Sequence, residues 1–156
     1  DQKTVERYMS ALCETFFVYE AKRYNIKGRQ LLKTLGKYYL VDMGLRRMLL
    51  GSRSFDAGRI LENVVYLELL HRQKKVYVGK MERLEVDFVA IDENETTYYQ
   101  VAATVRDEAT LRRELASLQQ IGDQYPKFIL TLDDDPVADY DGIKRINALR
   151  WMMGKE

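Results

Sequence analysis

The sequence predicts an α/β domain, and three observations predict it. Residues 59–132 read in the order helix, three strands, helix, strand. The segment 59–73 has apolar residues nearly all round, as a buried helix does. The segments 75–78, 84–91, 96–105 and 128–132 are short and rich in Val, Ile, Phe and Tyr, the residues that suit a pleated, half-buried surface.

The elements follow in order. Val5, Tyr8, Met9, Leu12 and Phe16 recur at helical spacing, so residues 4–18 predict an amphipathic helix with one buried face and Thr4 as its N-cap. Cys13 is expected to be buried with it. Phe17-Val18-Tyr19 leads into a short strand, Asn25-Ile26-Lys27-Gly28 carries turn residues, and Lys37–Val41 is β-prone. A helix followed by a basic, Gly-turned hairpin resembles the second half of a winged helix-turn-helix. Asp42 is placed to cap a short helix that Gly51 closes. After helix 59–73 come the three strands, with Glu93-Asn94-Glu95 as a turn, and they are expected to pair as an antiparallel meander. Residues 107–121 form a second amphipathic helix, with Asp107 as N-cap and Leu111, Leu115, Leu118 and Ile121 as its buried stripe. Tyr125-Pro126 breaks it. Phe128–Leu132 is a fourth strand, Asp133-Asp134-Asp135-Pro136 reads as a solvated acidic turn, and residues 143–153 give a final strand or short helix.

Composition removes several classes of function. Hydrophobic residues make up 46% of the chain, enough for a packed core. One cysteine and one histidine, Cys13 and His71, exclude a disulfide scaffold, a cysteine zinc cluster and His-paired metal motifs. No apolar run is long enough to span a bilayer. The chain has no initiator Met and no signal region, and it is read as a fragment of a cytoplasmic protein. The net charge of +1 conceals an asymmetry: residues 1–82 carry 16 Lys and Arg against 9 Asp and Glu, the remainder 9 against 15. A basic half suits a polyanion. Lys22, Arg23, Lys27, Arg29 and Lys37, interleaved with Tyr24, Tyr38 and Tyr39, are the expected phosphate and base contacts of a bound nucleic acid, DNA ahead of RNA.

Three polar side chains sit in otherwise apolar elements: Glu62 on the buried helix, Asp87 in mid-strand with Glu85 two residues before it, and Gln100 in the next strand. Burying such groups is costly unless they are paired or bound to a cation. Oxygen ligands of this type suit Mg²⁺ or Mn²⁺, which can activate water for phosphodiester hydrolysis. Glu62 and Glu85 would equally be satisfied by Arg59, Arg72 or Arg83, as ion pairs that hold the sheet to the helix.

The α-β-β-β-α-β order resembles the core of the PD-(D/E)XK nuclease-like fold. The segments KYYLVDMGLRRMLLG, DAGRILENVVYLELLHRQKKVYVGK, EVDFVAID, YYQVA, PKFILTLD and GIKRINALRWM occur in this order. Together they resemble the C-terminal domain of unknown function of a large group of bacterial and archaeal AAA+ ATPases, over nearly the whole chain. The resemblance implies a partial winged-helix segment at 1–50, a nuclease-like domain at 51–156 and a preceding ATPase module in the parent chain. It places Glu62, Asp87 and Gln100 at the metal positions. It also implies a lysine where Ala102 stands, and that departure implies a degenerate site. No G-x-x-x-x-G-K-[ST] occurs, so this chain is expected to bind no ATP. An active Mg²⁺ nuclease and a protein-interaction or oligomerisation module remain the alternatives.

Overall fold

Strands that are apolar on both faces need a layer on each side. The computed structural model, which describes residues 1–51, 56–93 and 95–155, supplies both layers. In chain order the elements are α1 (Gln2–Glu14), β1 (Val18–Ala21), β2 (Arg23–Asn25), β3 (Gln30–Leu31), β4 (Lys37–Leu40), α2 (Met43–Leu50), α3 (Ala57–His71), β5 (Lys75–Met81), β6 (Leu84–Ile91), β7 (Thr96–Val101), α4 (Glu108–Gln119), β8 (Lys127–Thr131), β9 (Ala138–Tyr140), β10 (Ile143–Asn147) and α5 (Ala148–Met152). The main sheet runs β3-β2-β5-β6-β7-β8-β10-β9, while β1 and β4 pair by themselves. The expected meander is present, with β5, β6 and β7 antiparallel. β7, β8 and β10 are mutually parallel, and α4 crosses from β7 to β8 as parallel pairing requires.

The two faces carry separate cores. On one, Leu61, Val65, Tyr66 and Leu69 of α3 pack with Val76, Phe88, Tyr99 and Trp151. On the other, Leu115 and Leu118 of α4 pack with Val86, Val89, Tyr98, Ala102 and Ile129. Capping follows the sequence at two helices. Asp42 accepts from the backbone N–H groups of Gly44 and Leu45, and Asp107 from that of Thr110. Residues 143–153 hold both a strand and a helix, β10 and α5.

Several expectations need correcting. α1 begins earlier than expected and is capped by Asp1, not Thr4. Its apolar stripe is not buried: Val5, Tyr8, Leu12 and Phe16 are exposed, Met9 and Cys13 half-buried. The helix lies beside β1. The turn at 25–28 does not close the β1–β4 hairpin. β1 pairs with β4, but after Ala21 the chain crosses to the main sheet. There β2 runs parallel to β5 and β3 folds back on β2. The crossing is tight: a Cβ on Gly36 would stand 2.4 Å from the Ala21 carbonyl oxygen. The segment 1–50 therefore contributes two strands to the main sheet, and the sheet has no break at residue 50. The third predicted strand is shorter, ending at Val101; Ala102 and Ala103 each keep one backbone bond to the β8 side, to Leu130 and Leu132, before the buried Asp133 carboxylate takes the Thr104 hydroxyl and the Val105 N–H. Asp133 is thus a buried anchor rather than part of a solvated turn. At the 93–95 turn, Asp92 and Glu95 are hydrogen-bonded to each other, and Asn94 lies outside the described residues.

Candidate functional site

β6 and β7 pair from Ile91↔Thr96 to Phe88↔Tyr99 and then part. Backbone groups freed at such a point must find other partners. Here side chains supply them. The Asp87 N–H donates to Gln100 Oε1 at 3.1 Å, and the Val101 N–H donates to Asp87 Oδ2 at 3.0 Å. Gln100 Nε2 donates in turn to Glu114 Oε2 on α4 at 2.8 Å. Glu114 is buried, and its other oxygen accepts two bonds from the exposed Arg113. Gln100 therefore ties together β6, β7 and α4.

On the α3 side of the same opening, Lys37 reaches in from β4. Its Nζ lies 3.0 Å from Glu85 Oε1, 3.1 Å from Glu62 Oε1 and 3.4 Å from Asp87 Oδ1. An ammonium has three donors, and here three carboxylates receive them. Glu85 also pairs with Arg23 of β2. Glu62 accepts from the Tyr39 hydroxyl at 2.7 Å. Tyr39 is held by its ring, stacked on Tyr66 with centroids 4.2 Å apart. Beside it, Asn63 of α3 brackets Leu40. Its Oδ1 accepts from the Leu40 N–H at 2.9 Å and its Nδ2 donates to the Leu40 carbonyl at 2.7 Å. These contacts fix β4, and with it Lys37, against α3.

The electrostatics follow from this crowding. Burial, then the neighbouring Glu62 carboxylate, pushes the Asp87 carboxyl well above the usual range, against the opposing pull of Lys37 and the Val101 N–H. Burial also acts to raise Glu85, but hydrogen bonds from Arg23 and Lys37 outweigh it and hold Glu85 low. Burial would lower Lys37, yet Asp87, Glu62 and Glu85 hold its ammonium above the ordinary lysine range. Burial and Glu62 keep the Tyr39 phenol protonated.

A cleft of about 310 Å³ opens over Glu62, Glu85, Asp87, Gln100, Arg113 and Glu114. Glu62 also lines a second groove of about 570 Å³, bordered by Lys37, Tyr38, Arg46 and Arg59. A cavity of about 670 Å³ at the far end of α4 lies away from these acids. There Lys127 is bonded to the Asp123 and Tyr125 carbonyls.

The structure brings Glu62, Asp87 and Gln100 together: Glu62 and Asp87 share one ammonium, and Gln100 is bonded to the Asp87 backbone. It divides the five basic residues. Lys22, Lys27 and Arg29 are exposed, Lys27 facing Glu82 at 3.8 Å. Arg23 and Lys37 turn inward to carboxylates and join the acidic cluster. Tyr39 and Tyr24 are likewise packed, on Tyr66 and Tyr77. Arg59 pairs with Asp56 and Arg72 with Glu68, so neither serves the acids of the cluster. Lys37 was the residue to find. A strand period of two places it on the face of Tyr39, which the apolar run marks as buried.

A divalent cation needs oxygens turned to a common point at about 2.0–2.6 Å. Here the Lys37 ammonium stands among the three carboxylates, and the Gln100 amide oxygen is bonded to the Asp87 N–H. Among the described residues no group of three or more His, Cys, Asp or Glu side chains is arranged to hold a metal ion. With Lys37 in place, the side chains do not fit Mg²⁺ or Mn²⁺.

Residues 1–56, from α1 to the N-cap of α3, match a family described as Domain of unknown function (DUF8612). An uncharacterized protein of Haemophilus influenzae is 37% identical over 150 residues, which cover 96% of this chain and 37% of that protein. The chain thus spans little more than a third of that relative's length. No solved structure matches it. Among the described residues, no helix is long and apolar enough to cross a membrane.

Proposed function

We propose that this chain is a PD-(D/E)XK nuclease-like domain that associates with nucleic acid without cutting it, as the C-terminal part of a bacterial or archaeal AAA+ ATPase. The observation that carries this reading is the gathering of Glu62, Asp87 and Gln100 where β6 and β7 part. The order from α3 to β8, a helix, three antiparallel strands, a helix and a parallel strand, supports it. The groove beside the acids, with Arg46 and Arg59 on its wall, offers a path for a phosphate backbone. The absence of cutting is argued from two residues. Lys37 takes the place a metal ion would need, and Ala102 lies in the apolar core beneath α4 where a hydrolytic lysine is missing.

The test is a titration of labelled single- and double-stranded DNA and RNA at rising salt. Binding should weaken steeply as salt displaces phosphate contacts. Charge reversal at Arg59, Lys22 and Arg29 should flatten that dependence. No binding at low salt would overturn the nucleic-acid reading. Incubation with Mg²⁺ or Mn²⁺ should leave the strands intact, and cleavage lost in Asp87→Ala would overturn the non-cutting one.

One observation favours a second reading, a module that regulates the ATPase by protein contact. Val5, Tyr8 and Leu12 of α1 and Phe16 just after it are exposed, as are Met48 and Leu49 of α2. The partner would be the ATPase module of the parent chain. Leu12→Asp should then change the parent's ATP turnover while leaving DNA affinity alone.

A further inference from the structure

We infer that Lys37 is the resident cation of the acidic pocket, a built-in plug that keeps divalent metal ions out of it. The inference concerns occupancy of the pocket and does not depend on whether the domain binds nucleic acid. Glu62, Glu85 and Asp87 come from two elements that the fold forces together at the mouth of β6, and like charges at that spacing need a positive neighbour. The neighbour comes from outside the sheet. Lys37 lies on β4, whose only strand partner among the described residues is β1. Its side chain is mostly covered, and its ammonium meets one oxygen from each carboxylate. A metal ion binding the same oxygens would have to come within about 2.6 Å of them and so would displace the ammonium. The two occupants are mutually exclusive.

The plug is held on a separate lever. Tyr39 and Leu40, which follow it on β4, are fixed to α3 by the Tyr66 stack, the bond to Glu62 and the Asn63 bracket. Removing the ammonium alone leaves this lever in place, and three carboxylates around the vacated position with Arg23, paired to Glu85, as their remaining cation. The pocket must then take up a proton or a cation from solution.

The experiment measures Mn²⁺ binding to the whole chain by electron paramagnetic resonance of free Mn²⁺. Wild type should bind no ion that Asp87→Asn abolishes. Lys37→Met keeps the apolar stem and should bind Mn²⁺ roughly tenfold or more tightly than wild type. Adding Glu62→Gln to Lys37→Met should remove that gain. Two results would sink the proposal: Asp87-dependent binding by wild type as tight as by the variant, or no gain in a folded Lys37→Met chain. A measurement on the wild-type chain covers the case in which the variant fails to fold. In amine labelling read by peptide mass spectrometry, Lys37 should react roughly tenfold or more slowly than exposed Lys22. Equal rates would mean that the ammonium is free, and the plug would be refuted.

Discussion

Asp87 answers two demands at once: its carboxylate closes the Val101 N–H and also faces the Lys37 ammonium. Its raised pKa couples folding to pH. A carboxyl that binds its proton more tightly in the folded chain favours the folded state most when protonated. That contribution is complete below the ordinary aspartate range and is lost as pH rises through the raised value. Wild type should therefore gain melting temperature on acidification from about pH 8 to about pH 5, and Asp87→Asn should show a flatter profile over the same range. Thermal melts of both across pH read the difference; parallel profiles would contradict it. Glu85 carries the opposite sign, with stability lost only as pH falls through its depressed value. The polar members of this site were legible in the sequence because an acid in an apolar strand needs a partner. The partner was harder to read, since only the shared face with Tyr39 marks it. Lys37 is separated from Asp87 by 50 residues, and a lysine in a basic stretch reads by default as solvated.

At the scale of elements, the Asn63–Leu40 bracket joins α3 to β4, a strand outside the main sheet whose strand partner is β1. Asn63 is 7% exposed, so truncation would leave the Leu40 N–H and carbonyl without their partner. Asn63→Ala should cost about 2–3 kcal/mol in chemical denaturation, with an unchanged denaturant slope. A loss under 0.5 kcal/mol, the range of an ordinary surface change, would show that water replaces the bracket. The meander, helices α3 and α4 and the caps at Asp42 and Asp107 could be read from the sequence because those signals are local. The first forty residues could not. Their apolar spacing does mark α1, but spacing cannot say whether a neighbour exists to cover the stripe. Where the chain leaves β1 for the main sheet, Gly36 closely approaches Ala21, a contact with no sequence period behind it.

At the scale of the molecule, β2 and β3 of the N-terminal segment belong to the same sheet as the later strands. A chain starting at Asp56 would lack β2, β3, Arg23 and Lys37. It would leave the seven-residue β5 as a bare edge and Glu62, Glu85 and Asp87 without their cations. Such a chain should lose its near-ultraviolet circular dichroism or self-associate in size-exclusion chromatography, whereas two independent domains would leave it folded and monomeric. The intact sheet is better protected. Its outermost strands, β3 and β9, are two and three residues long. Edges that short present too few free backbone groups to template another strand. At high concentration the domain should stay clear of ribbon-like, cross-β aggregation, and any precipitate it forms should arise through the greasy face of α1 and retain native infrared amide bands.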